Sequence, residues 1–335
     1  MSTTSQTYAP RTATLAWQPT VAVLIPCLNE AASIAKVVDD FLSVLPEAKV
    51  FVYDNGSTDA TVERARAAGA IVRTESMRGK GNVVRRMFAD VEADVFILVD
   101  GDDTYDARRA PELVQQLLRD SLDMINGARR ACADAAYRPG HRFGNRLLTG
   151  LVASFFGGRL SDLLSGYRVL SRRFVKSFPA LSSGFEIETE LSVHALQLRM
   201  PLSEVEVQYR ERPQGSASKL STYRDGFRIL RTIFHLVKEE KPLAFFSVLA
   251  GALAVTSMAL GVPVIVEFTR TGLVPRLPTA LLAAALAILS FMSFGCGLIL
   301  DMVSRGRAET KRLVYLSLPV RFTPVRPELL LRARR

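Results

Sequence analysis

The sequence predicts an α/β fold: a mostly parallel sheet domain followed by a two-helix transmembrane hairpin. Three observations predict it. Apolar runs alternate with segments of helical period between Val21 and Val99, polar clusters close those runs, and two long uncharged segments follow further along the chain.

The elements follow in order. Val21 to Ile25 reads as a strand stopped by Pro26. Asn29-Glu30 can cap a helix reaching about Leu45, with Ile34, Val37, Val38, Phe41 and Leu42 on one face. Val50 to Tyr53 is a second strand, ending in the turn-rich Asp54-Asn-Gly-Ser-Thr-Asp59. A helix over Thr61 to Ala68, a strand over Ala70 to Arg73, a helix over Gly81 to Asp90 and a strand over Asp94 to Val99 complete a βαβαβ order. That last strand runs into Asp100-Gly-Asp-Asp103, so a buried apolar run ends in three carboxylates. Open α/β sheets bind ligands at such strand ends. Crowded carboxylates repel one another unless a cation neutralises them, and their hard oxygens suit Mg²⁺ or Mn²⁺. Then come a helix over Pro111 to Arg119 and a short strand over Leu122 to Asn126. Polar and glycine-rich pieces interrupt apolar ones from Arg138 to Arg173, before a helix over Glu186 to Leu198 and a strand over Ser203 to Tyr209.

Domain organisation follows from composition. The chain of 335 residues is 48% hydrophobic with a formal net charge of +10, and its mean hydropathy is +0.16. Residues 1–19 are polar and read as a disordered lead-in without a secretory signal. Residues 20–219 form the sheet domain. In 220–241, Tyr223, Phe227, Leu230, Phe234 and Val237 make an apolar stripe beside a basic one of Arg224, Arg228, Arg231, His235 and Lys238. That pattern suits an amphipathic helix at a membrane interface. Within 242–303, spans at 242–267 and 277–301 each exceed the roughly 20 residues a bilayer core requires. Lysines and arginines flank the outer ends of this hairpin, placing the sheet domain and a basic tail over 304–335 in the cytoplasm. Met302 to Arg335 holds nine Lys and Arg against two Glu, which suits anionic lipid. No zinc-finger spacing or aromatic RNA-binding motif points to nucleic acid. Three scattered cysteines fit a reducing compartment.

Rival chemistries fail on spacing. Gly79-Lys80-Gly81 lacks the dinucleotide fingerprint, no Gly-Lys-Ser/Thr loop exists, and Asp100 to Tyr105 lacks the glycine an EF-hand needs. No Gly-x-Ser-x-Gly elbow is present. Four clusters remain, one at each strand end: Pro26-Cys-Leu-Asn-Glu30, Asp54 to Asp59, Arg78-Gly-Lys-Gly-Asn82 and Asp100-Gly-Asp102. Acidic side chains at such a place can read base and ribose donors, and Lys80 with backbone amides can meet phosphate oxygens.

These four motifs resemble glycosyltransferase family 2, the Rossmann-like GT-A fold, and with the hairpin they resemble its polyprenyl-phosphate glycosyltransferases, the dolichol-phosphate mannose synthase and GtrB-like group. The resemblance covers about Thr20 to Lys241. It implies inverting transfer of a sugar from a UDP- or GDP-linked donor to undecaprenyl or dolichyl phosphate at the cytoplasmic face of the plasma (inner) membrane. Carried over by position, Pro26, Leu28, Asn29, Glu30, Asp54, Ser57 and Lys80 line the nucleotide-sugar site with Asp100, Gly101 and Asp102. Asp100 and Asp102 match the family's Asp-x-Asp and would hold Mg²⁺ or Mn²⁺. Gly127-Ala-Arg129-Arg130 resembles its Gly-Ser-Arg. Leu163 to Arg168 (with Ser165 and Arg168) and Gly184 to Glu188 (with Glu186 and Glu188) resemble acceptor and sugar segments. Arg212 to Lys219, with Ser216, resembles a loop closing over phosphates. Asp100, Asp102, Arg129 and Lys219 are thus implied to carry catalysis, and Arg129, Arg130, Arg138, Ser165, Arg168, Glu186, Glu188, Arg212, Ser216 and Lys219 to meet acceptor and phosphate. The resemblance allows a homo-oligomer, though no stretch reads as an interface. Asn55 departs from the family, where many relatives carry a second Asp, and Thr104 stands where mannose synthases carry Gln, so mannose is not implied. The segment Cys132 to His141 matches nothing assignable. Another membrane acceptor, or a scaffold without catalysis, are the alternatives; a scaffold has no use for a carboxylate pair that is costly to hold together.

Overall fold

The computed structural model describes residues 19–131, 149–150, 160–210, 234, 238–239 and 241–319. Its strands are β1 (Val21–Cys27), β2 (Lys49–Asp54), β3 (Ile71–Thr74), β4 (Val95–Leu98), β5 (Met124–Ala131), β6 (Arg168–Ser171) and β7 (Leu202–Tyr209). They form one sheet in the order β3-β2-β1-β4-β6-β5-β7. The expected βαβαβ half is parallel throughout. β6, a four-residue strand that the sequence reading did not isolate, runs antiparallel to β4 and β5, while β7 returns parallel to β5. This reversal has a functional consequence. Leu98 pairs with Arg168, so the segment entering β6 arrives beside the carboxyl end of β4, where Asp100 stands.

Strand alternation divides the core into two layers. Val23, Ile25, Val52, Ile97 and Val169 pack on α1 (Ile34–Val44) and α4 (Ala110–Arg119) through Val38, Phe41, Leu113 and Leu117. Leu24, Tyr53, Phe96, Leu98 and Leu170 pack on the other side against α3 (Lys80–Asp90), α5 (Arg172–Ser177) and α6 (Ile187–Gln197), through Met87, Phe174 and Leu191. Burial on both faces explains why the strands read as continuous apolar runs. The second helix of the parallel half, α2, spans Thr61–Ala67. Helix α1 takes up regular geometry from Ile34, whose N–H donates to the Glu30 carbonyl at 3.0 Å.

The hairpin consists of α7 (Pro242–Thr271) and α8 (Leu277–Ser317), turning at Gly272 in the left-handed region. Both are long and apolar enough to cross a membrane. Their most apolar windows are only 17% and 11% buried, so they are not core helices of the sheet domain. Ser257 and Ser290 donate across the pair to the carbonyls of Ala283 and Ala250, each at 2.7 Å. Residues 304–317, expected as the start of a basic tail, instead continue α8. This extension reaches the sheet domain. Tyr315 Oη donates to Asp123 Oδ2 at 2.6 Å, the Arg173 guanidinium lies 4.2 Å from the Tyr315 ring, and Lys311 Nζ donates to Gln197 Oε1 at 3.1 Å.

Candidate active site

Three parallel strands, β1, β2 and β4, deliver their polar ends to one edge. The ends of β1 and β2 are knitted together: Asn29 N donates to Ser57 Oγ and Thr58 N donates to Asn29 Oδ1, both at 2.8 Å, and Glu30 N donates to Thr61 Oγ1 at 2.9 Å. Asp54, 4% exposed, accepts the amides of Gly56 and Ser57 at 3.0 and 3.1 Å. Pro26 and Leu28 are half-buried beside it, and Glu30 is buried. Asn55 explains the departure from the family's second Asp. Its Nδ2 donates to the carbonyls of Glu75 and Met77 at 2.9 and 2.8 Å, and its Oδ1 accepts Gly79 N at 2.7 Å. A carboxylate has no protons for the first two bonds.

The acidic turn after β4 is rigidly built. Gly101 packs so closely that a Cβ there would lie 2.7 Å from Cys27 Sγ, and its carbonyl accepts Ser33 Oγ at 2.7 Å. Asp102, 3% exposed, accepts Thr104 Oγ1 at 2.6 Å, so Thr104 orients this carboxylate. Asp103 turns away in the left-handed region, at φ of 57°, and pairs with Lys36 at 2.8 Å. Asp100 faces the segment before β6: a Cβ on Gly166 would come within 2.2 Å of its Oδ2, so glycine is what lets this wall close.

Lys80, at the start of α3, bridges two carboxylates. Its Nζ lies 2.5 Å from Asp100 Oδ1 and 2.6 Å from Glu188 Oε1. Burial alone would lower the amine's pKa, but the charges of Asp100 and Glu188 more than reverse this and hold it above its usual value. Burial, with Asp100 adding to it, holds Glu188 above the ordinary carboxylate range despite the pull of Lys80. Two amides at this helix start are taken up within the chain. Gly81 N and Asn82 N donate to the Ser183 carbonyl at 3.0 and 3.4 Å, so the chain itself caps the helix.

Across the site, β5 presents Arg129. Its Nε and Nη2 grip Asp162 at 2.7 and 2.8 Å, its backbone N–H donates to the same carboxylate at 3.1 Å, and its guanidinium lies over the Tyr209 ring at 5.6 Å. Burial opposes the charge on Asp162, but Arg129 outweighs it and holds the carboxyl below its usual range. Arg168 is placed differently from an acceptor ligand. It is fully buried, and it donates to the carbonyls of Ser165, Leu163 and Glu188 at 3.2, 2.9 and 2.9 Å, tying three segments together from within. Ser165 is likewise buried, donating to the Gly127 carbonyl at 2.5 Å. Arg130 is solvent-facing and meets Glu206 at 3.3 Å. Glu186 is half-buried just before α6. Asp162 and Tyr105, whose hydroxyl accepts Gly166 N at 2.8 Å, escaped sequence reasoning, and Thr104 entered it only as a departure from the mannose synthases. Arg138, Arg212, Ser216 and Lys219, the segment Cys132 to His141 and most of 220–241 lie outside the described residues, as do 1–18 and 320–335.

Among the described residues no three His, Cys, Asp or Glu side chains gather as a metal cluster. Two neighbouring carboxylates, such as those of Asp100 and Asp102, would suit an ion that completes its shell from phosphates and water. Mg²⁺-type sites in phosphate-handling enzymes are built this way.

A mostly parallel sheet carrying an Asp-x-Asp turn at the edge of its nucleotide-type half defines a GT-A glycosyltransferase. Residues 22–178 match the Glycosyl transferase family 2 domain. The glycosyltransferase AglJ of Haloferax volcanii is 35% identical over 254 residues, spanning 74% of this chain and 82% of that protein. The chain thus belongs to glycosyl transferase family 2, and it is an enzyme. A dolichyl-phosphate hexose transferase of the same organism is 26% identical over 66% of this chain and 95% of its own length. The glucosyl-3-phosphoglycerate synthase of Mycobacterium tuberculosis, solved with Mn²⁺, UDP and glucosyl-3-phosphoglycerate, superposes with a TM-score of 0.53 at 25% identity over 64% of this chain and 80% of that one.

Proposed function

We propose that the protein transfers a sugar, with inversion, from a nucleotide-diphosphate donor to a polyprenyl phosphate at the cytoplasmic face of a membrane. One observation carries the reading: Asp100, Asp102 and Lys80 share a sheet edge with Arg129, in a chain that also carries two helices able to cross a bilayer. The similarity to a dolichyl-phosphate hexose transferase supports the lipid acceptor.

Asn29, Glu30, Asp54 and Ser57 would receive base and ribose at the β1–β2 edge. A Mg²⁺ or Mn²⁺ ion on Asp100 and Asp102 would neutralise charge developing on the diphosphate leaving group. Lys80 sits beside Asp100, where its ammonium can add to that neutralisation. Arg129 supplies a planar fork for the acceptor phosphate, and Lys219 with Arg212 and Ser216 would close over the phosphates. An acceptor phosphate is already ionised near neutral pH, so the reaction requires no strong general base. Lys238, Lys241, Arg305, Arg307, Lys311 and Arg312 at the outer ends of the hairpin support a cytoplasmic catalytic domain.

The test incubates the purified full chain with Mg²⁺ or Mn²⁺, undecaprenyl phosphate and a panel of labelled UDP- and GDP-sugars. Label should move into the lipid phase for at least one donor, and Asp102→Asn should abolish that transfer while leaving the melting temperature nearly unchanged. No lipid-linked product from any donor would refute the acceptor.

A further inference from the structure

We propose that Asp162 is the positioning residue of the acceptor side, holding the Arg129 guanidinium in the orientation that receives the acceptor phosphate. The inference rests on the reading of Arg129 as a phosphate ligand and adds to it a residue that no sequence motif singled out.

The geometry is that of a two-point clamp. Nε and Nη2 of Arg129 meet Oδ2 and Oδ1 of Asp162 in a parallel fork at 2.7 and 2.8 Å. Such paired bonds fix the plane of a guanidinium, where a single bond leaves it free to swing. A third bond, from Arg129 N to Oδ2 at 3.1 Å, fixes the carboxylate relative to β5 itself. The carboxylate is also held on its own side: Leu164 N donates to Oδ1 at 3.2 Å, and the Asp162 carbonyl accepts Asn126 Nδ2 at 2.7 Å. Glu204 on β7 accepts Ser161 N at 2.8 Å, which fastens the loop from the neighbouring strand. The Asp162 side chain is 6% exposed, whereas that of Arg129 is 17% exposed. The acid is thus sealed inside while the arginine reaches the surface of the site. The Tyr209 ring under the guanidinium limits its remaining out-of-plane motion.

An arginine fixed in this way loses little side-chain freedom when phosphate arrives, and such preorganisation strengthens binding without adding a contact. Removing the clamp should therefore weaken acceptor binding, and only when Arg129 is present.

The experiment measures equilibrium binding of farnesyl phosphate, a short soluble polyprenyl phosphate, to the purified full chain. It compares wild type, Asp162→Asn, Asp162→Glu, Arg129→Ala and the Asp162→Asn/Arg129→Ala double variant, with a melting temperature for each. Asp162→Asn should weaken binding by about tenfold, Asp162→Glu by less, and the double variant should bind no worse than Arg129→Ala alone. Wild-type affinity in Asp162→Asn, with binding lost in Arg129→Ala, overturns the positioning role and leaves the acceptor reading standing. A loss from Asp162→Asn that is equally large without Arg129 also overturns it, since the effect is then merely structural. Binding that is indifferent to Arg129→Ala overturns the reading beneath it. Should Asp162→Asn fail to fold, Asp162→Glu and its combination with Arg129→Ala carry the same comparison.

Discussion

Replacing Lys80 with Met removes the cation that bridges Asp100 and the buried Glu188 at 2.5 and 2.6 Å, while keeping a chain of similar length. Glu188 then escapes an uncompensated charge by taking up a proton. Measured from its ordinary value of 4.5, holding that proton costs about 1.4 kcal/mol for each pH unit, hence roughly 3 kcal/mol at pH 7 and under about 1 kcal/mol at pH 5. The pH 7 figure agrees with the roughly 3–5 kcal/mol lost when one partner of a buried pair is removed. The sign follows from linkage. A carboxyl whose folded pKa lies above its unfolded value loses stability as pH rises from 4.5 through the folded value, and Met at position 80 moves that upper limit higher. Lys80 in the wild type adds no slope there, because its contribution is full below 10.5 and fades only as pH climbs through its still higher folded value. Thermal melts of both proteins in the same detergent, from pH 5 to 7.5, should diverge with rising pH, reaching about 6–12 °C at pH 7. A gap independent of pH, or none at all, would refute the account of Lys80 as the counter-ion of Glu188.

Two further substitutions probe the scaffold. Asn55→Asp strips the donors from one buried and one part-buried carbonyl and should destabilise the fold by about 2–3 kcal/mol at pH 7, less at low pH where a protonated carboxyl can donate once; a melt indifferent to pH would contradict this. Tyr315→Phe removes a hydrogen bond to buried Asp123 while leaving a ring for Arg173, and should loosen the end of α8 by about 1.5–3 kcal/mol. Hydrogen exchange over 305–317 reads that loosening, and unchanged protection would mean that the contact contributes nothing.

Much of the candidate site's edge was readable in the chain because βαβ units place strand ends by local rules. Apolar runs of four or five residues, each closing on a polar turn, located Asp54, Lys80, Asp100 and Asp102 without long-range information. The other half resisted for a physical reason. β6 has four residues, too few to show a period, and its partners β4 and β5 are distant in sequence. Asp162 meets Arg129 across 33 residues, and nothing local marks it as an arginine clamp. The resemblance gave Arg168 to the acceptor, but three backbone carbonyls converging on one spot make its burial tolerable. The end of α8 was misjudged because charges after Leu300 read as the end of a membrane segment. Charge ends a span but not a helix, and this one runs on until Leu318 turns extended just before Pro319.

That uninterrupted α8 also sets a phase. Its 41 residues link the hairpin turn to the contacts at Lys311 and Tyr315 with no joint between them. In an α-helix each residue advances about 1.5 Å and turns about 100°. One residue inserted between Asp301 and Lys311 would swing Tyr315 about a quarter-turn away from Asp123, whereas seven would restore nearly the same bearing about 10 Å further out. The hairpin is thus phased against the edge of the sheet at Asp123, where β4 begins and β6 ends, and only insertions of whole turns keep its bearing on that edge.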